Sequence, residues 1–231
     1  YENTDYAVVE DCSTQFKVSS EIKNKLFRIT NPRYSLTWLN EIDKEYKYKL
    51  KDKPLNKNRK IRVLLLTRPF FSYGSWEKIW NTLKKIDQID IQFRFKPRGD
   101  FMPLNFKGNE IKELNTSELI NWADIVIGHA TSVLVEAIIK NKKIFFLKYL
   151  LEEEKKENIN YVFENQNFIE IINSHDEIMK KINFFINQEF PKNFDLSIYK
   201  NDIKNFLKNL IGENFDKENI FENNFLGLYK Y

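Results

Sequence analysis

Apolar residues fall along this chain in two rhythms. Ile61-Arg62-Val63-Leu64-Leu65-Leu66 is a near-continuous apolar run of strand length, the pattern of a strand covered on both faces. Ile89, Ile91, Phe93 and Phe95 alternate with polar residues and predict a second strand. Ala123 to Gly128 and Lys143 to Leu147 predict a third and a fourth, and Asn160 to Phe163 and Phe168 to Ile172 two short ones. Between these runs the spacing turns helical. Ile79, Trp80 and Leu83 share one face of a segment from Trp76 to Ile86, and a short helix ends over Glu118 to Trp122. Val133, Leu134, Ala137 and Ile138 recur at helix spacing within Thr131 to Lys140, and further helices are expected over Asp176 to Ile186 and Leu196 to Leu210. Strands alternating with helices from Ile61 to Ile186 imply an α/β fold: a Rossmann-like parallel sheet with helices on both faces, plus C-terminal helices.

The first part of the chain is less regular. Tyr6 to Val9 and Leu26 to Ile29 read as short strands, and Pro32 disfavours helix at Asn31. Ser35 stands where an N-cap belongs, ahead of a short helix carrying Trp38, Leu39 and Ile42. Lys44 to Lys60 reads as a solvated linker.

Composition narrows the function classes. Lys+Arg 37 against Asp+Glu 33 leaves a net charge of +4, too weak a bias to argue for nucleic acid. Cys12 is the sole cysteine and His129 and His175 the only histidines, so no internal disulfide and no metal site are expected. No apolar run reaches the roughly 18 residues of a spanning helix. The start of the chain lacks the basic-then-apolar pattern of a signal peptide, so a cytoplasmic setting is expected. The chain opens on Tyr1 rather than Met, which suggests a piece of something longer.

In a sheet of this kind ligands bind beyond the carboxyl ends of the strands, which makes three loops the candidate site. The first, Thr67 to Ser75, brings Thr67, Arg68, Ser72, Gly74 and Ser75 ahead of a helix N-terminus, where backbone N–H groups can meet an anion. Ser75 serves equally as a plain N-cap. No glycine fingerprint for a dinucleotide and no P-loop is present. The second, Phe95 to Asp100, sets Lys96 and Arg98 on either side of Pro97. Arg98 suits bidentate binding of phosphate or carboxylate, or else an ion pair with Asp100. The third, Ile127 to Ala137, places Thr131 and Ser132 between a strand and an apolar helix, as an anion seat or as caps. Glu136 lies four residues past Ser132 on the same helix face, placed for a ribose diol or for a solvent-facing pair with Lys140. His129 is a candidate general base, with a structural role as the alternative, and His175 beside Asp176 reads as capping chemistry.

Taken in order, the strand, the Ser-containing loop, the Lys96-Pro97 element, Trp122-Ala123-Asp124-Ile125-Val126-Ile127-Gly128-His129-Ala130-Thr131-Ser132-Val133-Leu134-Val135-Glu136-Ala137 and Lys142-Lys143-Ile144-Phe145-Phe146 resemble the C-terminal, donor-binding half of a GT-B carbohydrate enzyme. Bacterial surface-polysaccharide transferases of the CDP-glycerol glycerophosphotransferase and capsule Kdo-transferase types are the families it looks like, and UDP-N-acetylglucosamine 2-epimerases share the half-fold. The resemblance implies that Thr131 and Ser132 receive the donor's phosphates, that Glu136 holds the ribose, and that Lys96, Pro97, Arg98 and Gly99 match a Lys-x-His-Pro element. Arg98 and Gly99 replace the usual His and Pro, so histidine catalysis is not implied at that position. Asn31 to Trp38 resembles the end of the N-terminal half of such proteins.

The implied organisation is a remnant of the N-terminal half with its linker over 1–58, a Rossmann-like nucleotide-binding domain over 59–190 and a helical extension over 191–231. The implied activity is glycosyl or polyol-phosphate transfer from a nucleotide-activated donor to a saccharide or lipid-linked acceptor, without metal or other cofactor, at or near the inner face of a membrane. The general base would then lie mostly on an N-terminal half. An epimerase and a non-catalytic nucleotide-binding domain stay open beside it.

Overall fold

The computed structural model describes residues 7–10, 26–29, 39–42, 44, 60–67, 73–95, 114–129, 131–153, 166–189, 199–211 and 229–230. The chain divides into two compact units, residues 46–200 and a second made of residues 1–45 with 201–231. The larger unit holds a five-stranded, wholly parallel sheet. Its strands are β3 (Ile61–Thr67), β4 (Ile89–Phe95), β5 (Ile125–Gly128), β6 (Lys143–Leu147) and β7 (Ile169–Ile172), in the spatial order β4-β3-β5-β6-β7. Helices α1 (Tyr73–Leu83), α2 (Thr116–Trp122), α3 (Val133–Ile139), α4 (Lys148–Glu153) and α5 (His175–Phe184) alternate with them. α5 continues as a π-helical turn, Phe185–Glu189. This is the α/β Rossmann-like fold that the alternation predicts.

Both faces of the sheet are covered, as a parallel sheet requires. Side chains alternate across a strand, so Ile61, Val63 and Leu65 point one way and Leu64 and Leu66 the other, and all five are buried. The first face joins Phe93, Ile127 and Phe145 to Trp76, Ile79 and Leu83 of α1 and to Ile178 and Ile182 of α5 in one core cluster. The second face meets α2 and α3 through buried Leu119, Ile120, Leu134 and Ile138. Burying one such side chain contributes roughly 1.5–3 kcal/mol, which is why unbroken apolar runs form the centre of the sheet.

Several boundaries differ from expectation. α1 starts three residues early, because Gly74 and Ser75 are helical rather than loop. α2 starts at Thr116 under a capping box: Asn115 Oδ1 accepts from the Glu118 N–H, and Glu118 Oε2 accepts from the Asn115 N–H, each at 2.8 Å. α3 begins only at Val133, since Thr131 and Ser132 form a turn before it. It ends on Asn141 at φ 59, with Lys142 N–H donating to Ala137 O and Asn141 N–H to Ile138 O, a Schellman closure. α4 follows β6 without a break, a helix the sequence pattern does not announce. The strand expected over 160–163 lies outside the described residues.

The smaller unit contains a separate sheet. β1 (Ala7–Glu10) pairs in parallel with β2 (Leu26–Ile29), and β2 pairs antiparallel with β8 (Tyr229–Lys230), a strand the sequence pattern does not announce. Residues 39–42 are helical, as expected after Ser35, and α6 (Lys200–Ile211) matches most of the last amphipathic segment.

Candidate functional site

The chain enters the large sheet at β3, passes outward to β4, and returns to the other side of β3 as β5 before moving on to β6 and β7. Connections therefore leave β3 and β5 in opposite directions. The carboxyl ends of these two strands form a switch point, the place at which open α/β sheets bind ligands. In register, Leu66 of β3 faces Gly128 of β5. Gly128 permits a close approach here: a Cβ on it would stand 3.3 Å from Leu66 Cβ and 3.4 Å from Leu134 Cδ2. β3, β5 and the first turn of α3 thus converge on one small residue.

Thr67, Gly128, His129, Thr131 and Ser132 all come to this carboxyl edge. Thr67 is buried, and its hydroxyl donates to the Arg94 carbonyl at 3.3 Å, tying the end of β3 to the end of β4. His129 is fully buried, with its ring centroid 5.5 Å from that of Trp76 at a 37° tilt. This contact makes the histidine part of the packed floor beneath the edge. Ser132 is exposed and makes no side-chain cap, while Thr131 Oγ1 accepts from the Val133 N–H at 3.3 Å. The next two amides also turn inward, Leu134 N–H to Thr131 O at 3.3 Å and Val135 N–H to Ser132 O at 3.1 Å. An anion at this turn competes with long, neutral hydrogen bonds rather than meeting bare donors.

Glu136 sits one turn further along α3, and its pairing with Lys140 is real but not solvent-facing. Lys140 Nζ lies 3.4 Å from Glu136 Oε1, and the two side chains are 7% and 9% exposed respectively. Lys140 also donates to the hydroxyl and carbonyl oxygens of Ser117 in α2. The pair is therefore an interior link between two helices. Glu136 Oε1, the oxygen that faces Lys140, is held by charge attraction and accepts no hydrogen bond.

Two other expectations change. Ser75 is the third residue of α1, half-buried, and so is not its cap; Gly74 is exposed, with open space where a Cβ would stand. His175 is the first residue of α5, and its Nε2 lies 3.0 Å from Thr82 Oγ1 of α1. It joins two helices, and the capping falls to Glu177, whose carboxylate accepts from the Asn173 N–H at 2.9 Å. Arg68, Ser72, Lys96 and Arg98 lie outside the described residues.

Sequence reasoning passes over Trp76, Ser117 and Arg94. Arg94 donates to the Leu114 carbonyl and so joins the end of β4 to the approach to α2. The Asn-x-x-Glu signature at Asn115 to Glu118 marks the helix start that places Ser117. Nothing in the sequence separates Trp76 from a tryptophan used only for packing. Among the described residues no three His, Cys, Asp or Glu side chains gather as a metal site, and no helix is long and apolar enough to cross a membrane.

The order β4-β3-β5-β6-β7, with its switch point between β3 and β5, defines an α/β Rossmann-like sheet. Solved structures similar to this chain include those of the wall teichoic acid polymerase TagF. A histidine-to-alanine variant matches with a TM-score of 0.50 at 20% identity, over 91% of this chain and 54% of that one. The unsubstituted polymerase gives 0.48 at 18% identity over 90% and 54%, and a variant soaked with CDPG gives 0.47 at 18% over 91% and 54%. The chain spans about half the length of these structures. No protein-family model matches the sequence, and comparison with curated proteins gives no match.

Proposed function

We propose that this chain is the donor-binding part of a transferase that uses a nucleotide-activated sugar or polyol phosphate to build a bacterial surface polymer. The observation that carries this reading is the switch point between β3 and β5, with the Thr131–Ser132 turn following β5 at its carboxyl edge. The likeness in fold to a wall teichoic acid polymerase supports it.

In the proposed reaction a hydroxyl oxygen of the acceptor bonds to the activated carbon or phosphorus of the donor. The bond from that atom to the nucleotide's phosphate oxygen breaks, and the hydroxyl proton passes to a base supplied by the remainder of the enzyme. The phosphate leaves with added negative charge. The Thr131–Ser132 turn would receive it, because an N–H bond to a charged oxygen is roughly twice as strong as the neutral bonds of 3.1–3.3 Å that those amides now make. Lys96 and Arg98 are proposed as the cations that neutralise the leaving group, with Arg68 and Ser72 beside them. Glu136 is proposed to accept from the ribose hydroxyls.

A nucleotide titration followed by thermal unfolding tests the reading. CMP, CDP or UDP at millimolar concentration should raise Tm as mass action requires, by about 2.7 kcal/mol of added stability at a hundredfold excess over Kd, with or without a chelator. A Tm indifferent to all three would remove the donor-binding reading.

A further inference from the structure

We propose that the indole N–H of Trp76 is a ligand-binding donor at the switch point, held for an oxygen of the nucleotide's phosphate. The proposal rests on the donor-binding reading above. Trp76 lies in the first turn of α1, the helix that follows β3, and its ring packs against that of His129, the residue that follows β5. The pair is therefore assembled from the segments that follow the two strands of the switch point. Trp76 is 2% exposed and His129 0%, so the rings hold each other in a fixed position.

What packing does not account for is the nitrogen. Trp76 Nε1 is buried and has no hydrogen-bond partner, and among the described residues it is the one buried indole nitrogen in that state. An indole N–H can only donate. Removed from water without an acceptor it destabilises the fold, which is why native interiors leave few such groups and why each one calls for a cause. Trp80, one turn on, shows the same residue type serving as a packing surface: it meets Phe93 edge-on at 5.4 Å, and the Lys84 ammonium stands 5.8 Å over its ring. A phenylalanine at position 76 would supply an aromatic face to His129 without the uncompensated nitrogen. A tryptophan there is explained if the acceptor arrives with the ligand. An oxyanion suits the position, because a neutral donor at a water-excluded site stabilises negative charge without changing protonation state.

The test observes the nitrogen itself. The full chain is labelled with 15N at its tryptophans, the Trp76 indole resonance is assigned by its loss in Trp76→Phe, and CDP and inorganic pyrophosphate are titrated separately. As CDP binds, the Trp76 indole proton is expected to move downfield and exchange more slowly with water. Trp76→Phe should weaken CDP binding by about tenfold or more, the range for a hydrogen bond to a charged group. If Trp76→Phe does not fold, substitution of the other tryptophans assigns the signal by elimination, and the wild-type titration decides. A response to pyrophosphate as large as that to CDP supports Trp76 as an oxyanion donor that reads the phosphates and not the nucleoside. Calorimetric binding of CDP that leaves the Trp76 resonance in place overturns the role of Trp76 and leaves the nucleotide reading standing. Silence toward both ligands at millimolar concentration overturns both.

Discussion

Glu136 has two candidate partners, and they make different demands on it. The Lys140 ammonium at 3.4 Å needs its charge, because removing one member of an interior ion pair strands the other, at a typical cost of about 3–5 kcal/mol. A ribose diol needs its acceptor oxygens, of which Oε1 faces Lys140. Glu136→Gln keeps the shape and drops the charge, which makes it the informative change. It is expected to lower stability and also to shrink the preference for CDP over 2′-deoxy-CDP, by up to about 1.5–3 kcal/mol. Calorimetry of both nucleotides with both proteins isolates the second effect, since the general loss of stability cancels in the double difference. An unchanged ratio would assign the carboxylate to Lys140 alone. The i, i+4 spacing of this pair is visible in the sequence, but its burial is not. That depends on Ser117, a third partner 23 residues from Lys140 that only the packing of α2 brings within reach.

Elements show the same division between local and distant causes. The strands β3 and β6 lie where their apolar runs place them, because a run covered on both faces carries its own signal, and β4 lies where its alternation places it. Helix starts are harder to place, since a hydroxyl before an apolar face predicts a cap whether or not the chain uses it. Ser75 and Ser132 both stand in such positions, and neither caps a helix through its side chain. The end of α3 is better specified. Asn141 holds φ 59, a conformation that costs most L-residues roughly 1–2 kcal/mol and that asparagine and glycine adopt most readily. Asn141→Ala is expected to lower stability by about 1 kcal/mol, whereas Asn141→Gly should match or exceed the parent in urea titration. Equal losses in the two variants would mean that the asparagine side chain, not the backbone angle, matters at this turn.

On the scale of the whole molecule, alternating strands and helices disclose the fold class, and a likeness at 20% identity to a solved polymerase agrees with it. Which strands become neighbours is another matter, because the pattern is the same whether the chain turns back after its second strand or its third. In the folded chain β3 lies between β4 and β5, and the partner on its far side from β4 is distant in sequence: the Arg62 N–H donates to the Asp124 carboxylate across 62 residues. This seam has a kinetic consequence. β3 can find β4 through a short excursion, but it can find β5 only after the entropy of a long loop has been overcome, so the seam limits the folding rate. Val126→Ala, in the middle of β5, should therefore slow refolding in proportion to the stability it removes. Ile169→Val, on the edge strand β7, should leave refolding nearly unchanged and hasten unfolding instead. Stopped-flow chevrons for the two variants distinguish these responses. A reversal would place the start of folding at the rim of the sheet, and the seam between β3 and β5 would then be the last part to assemble.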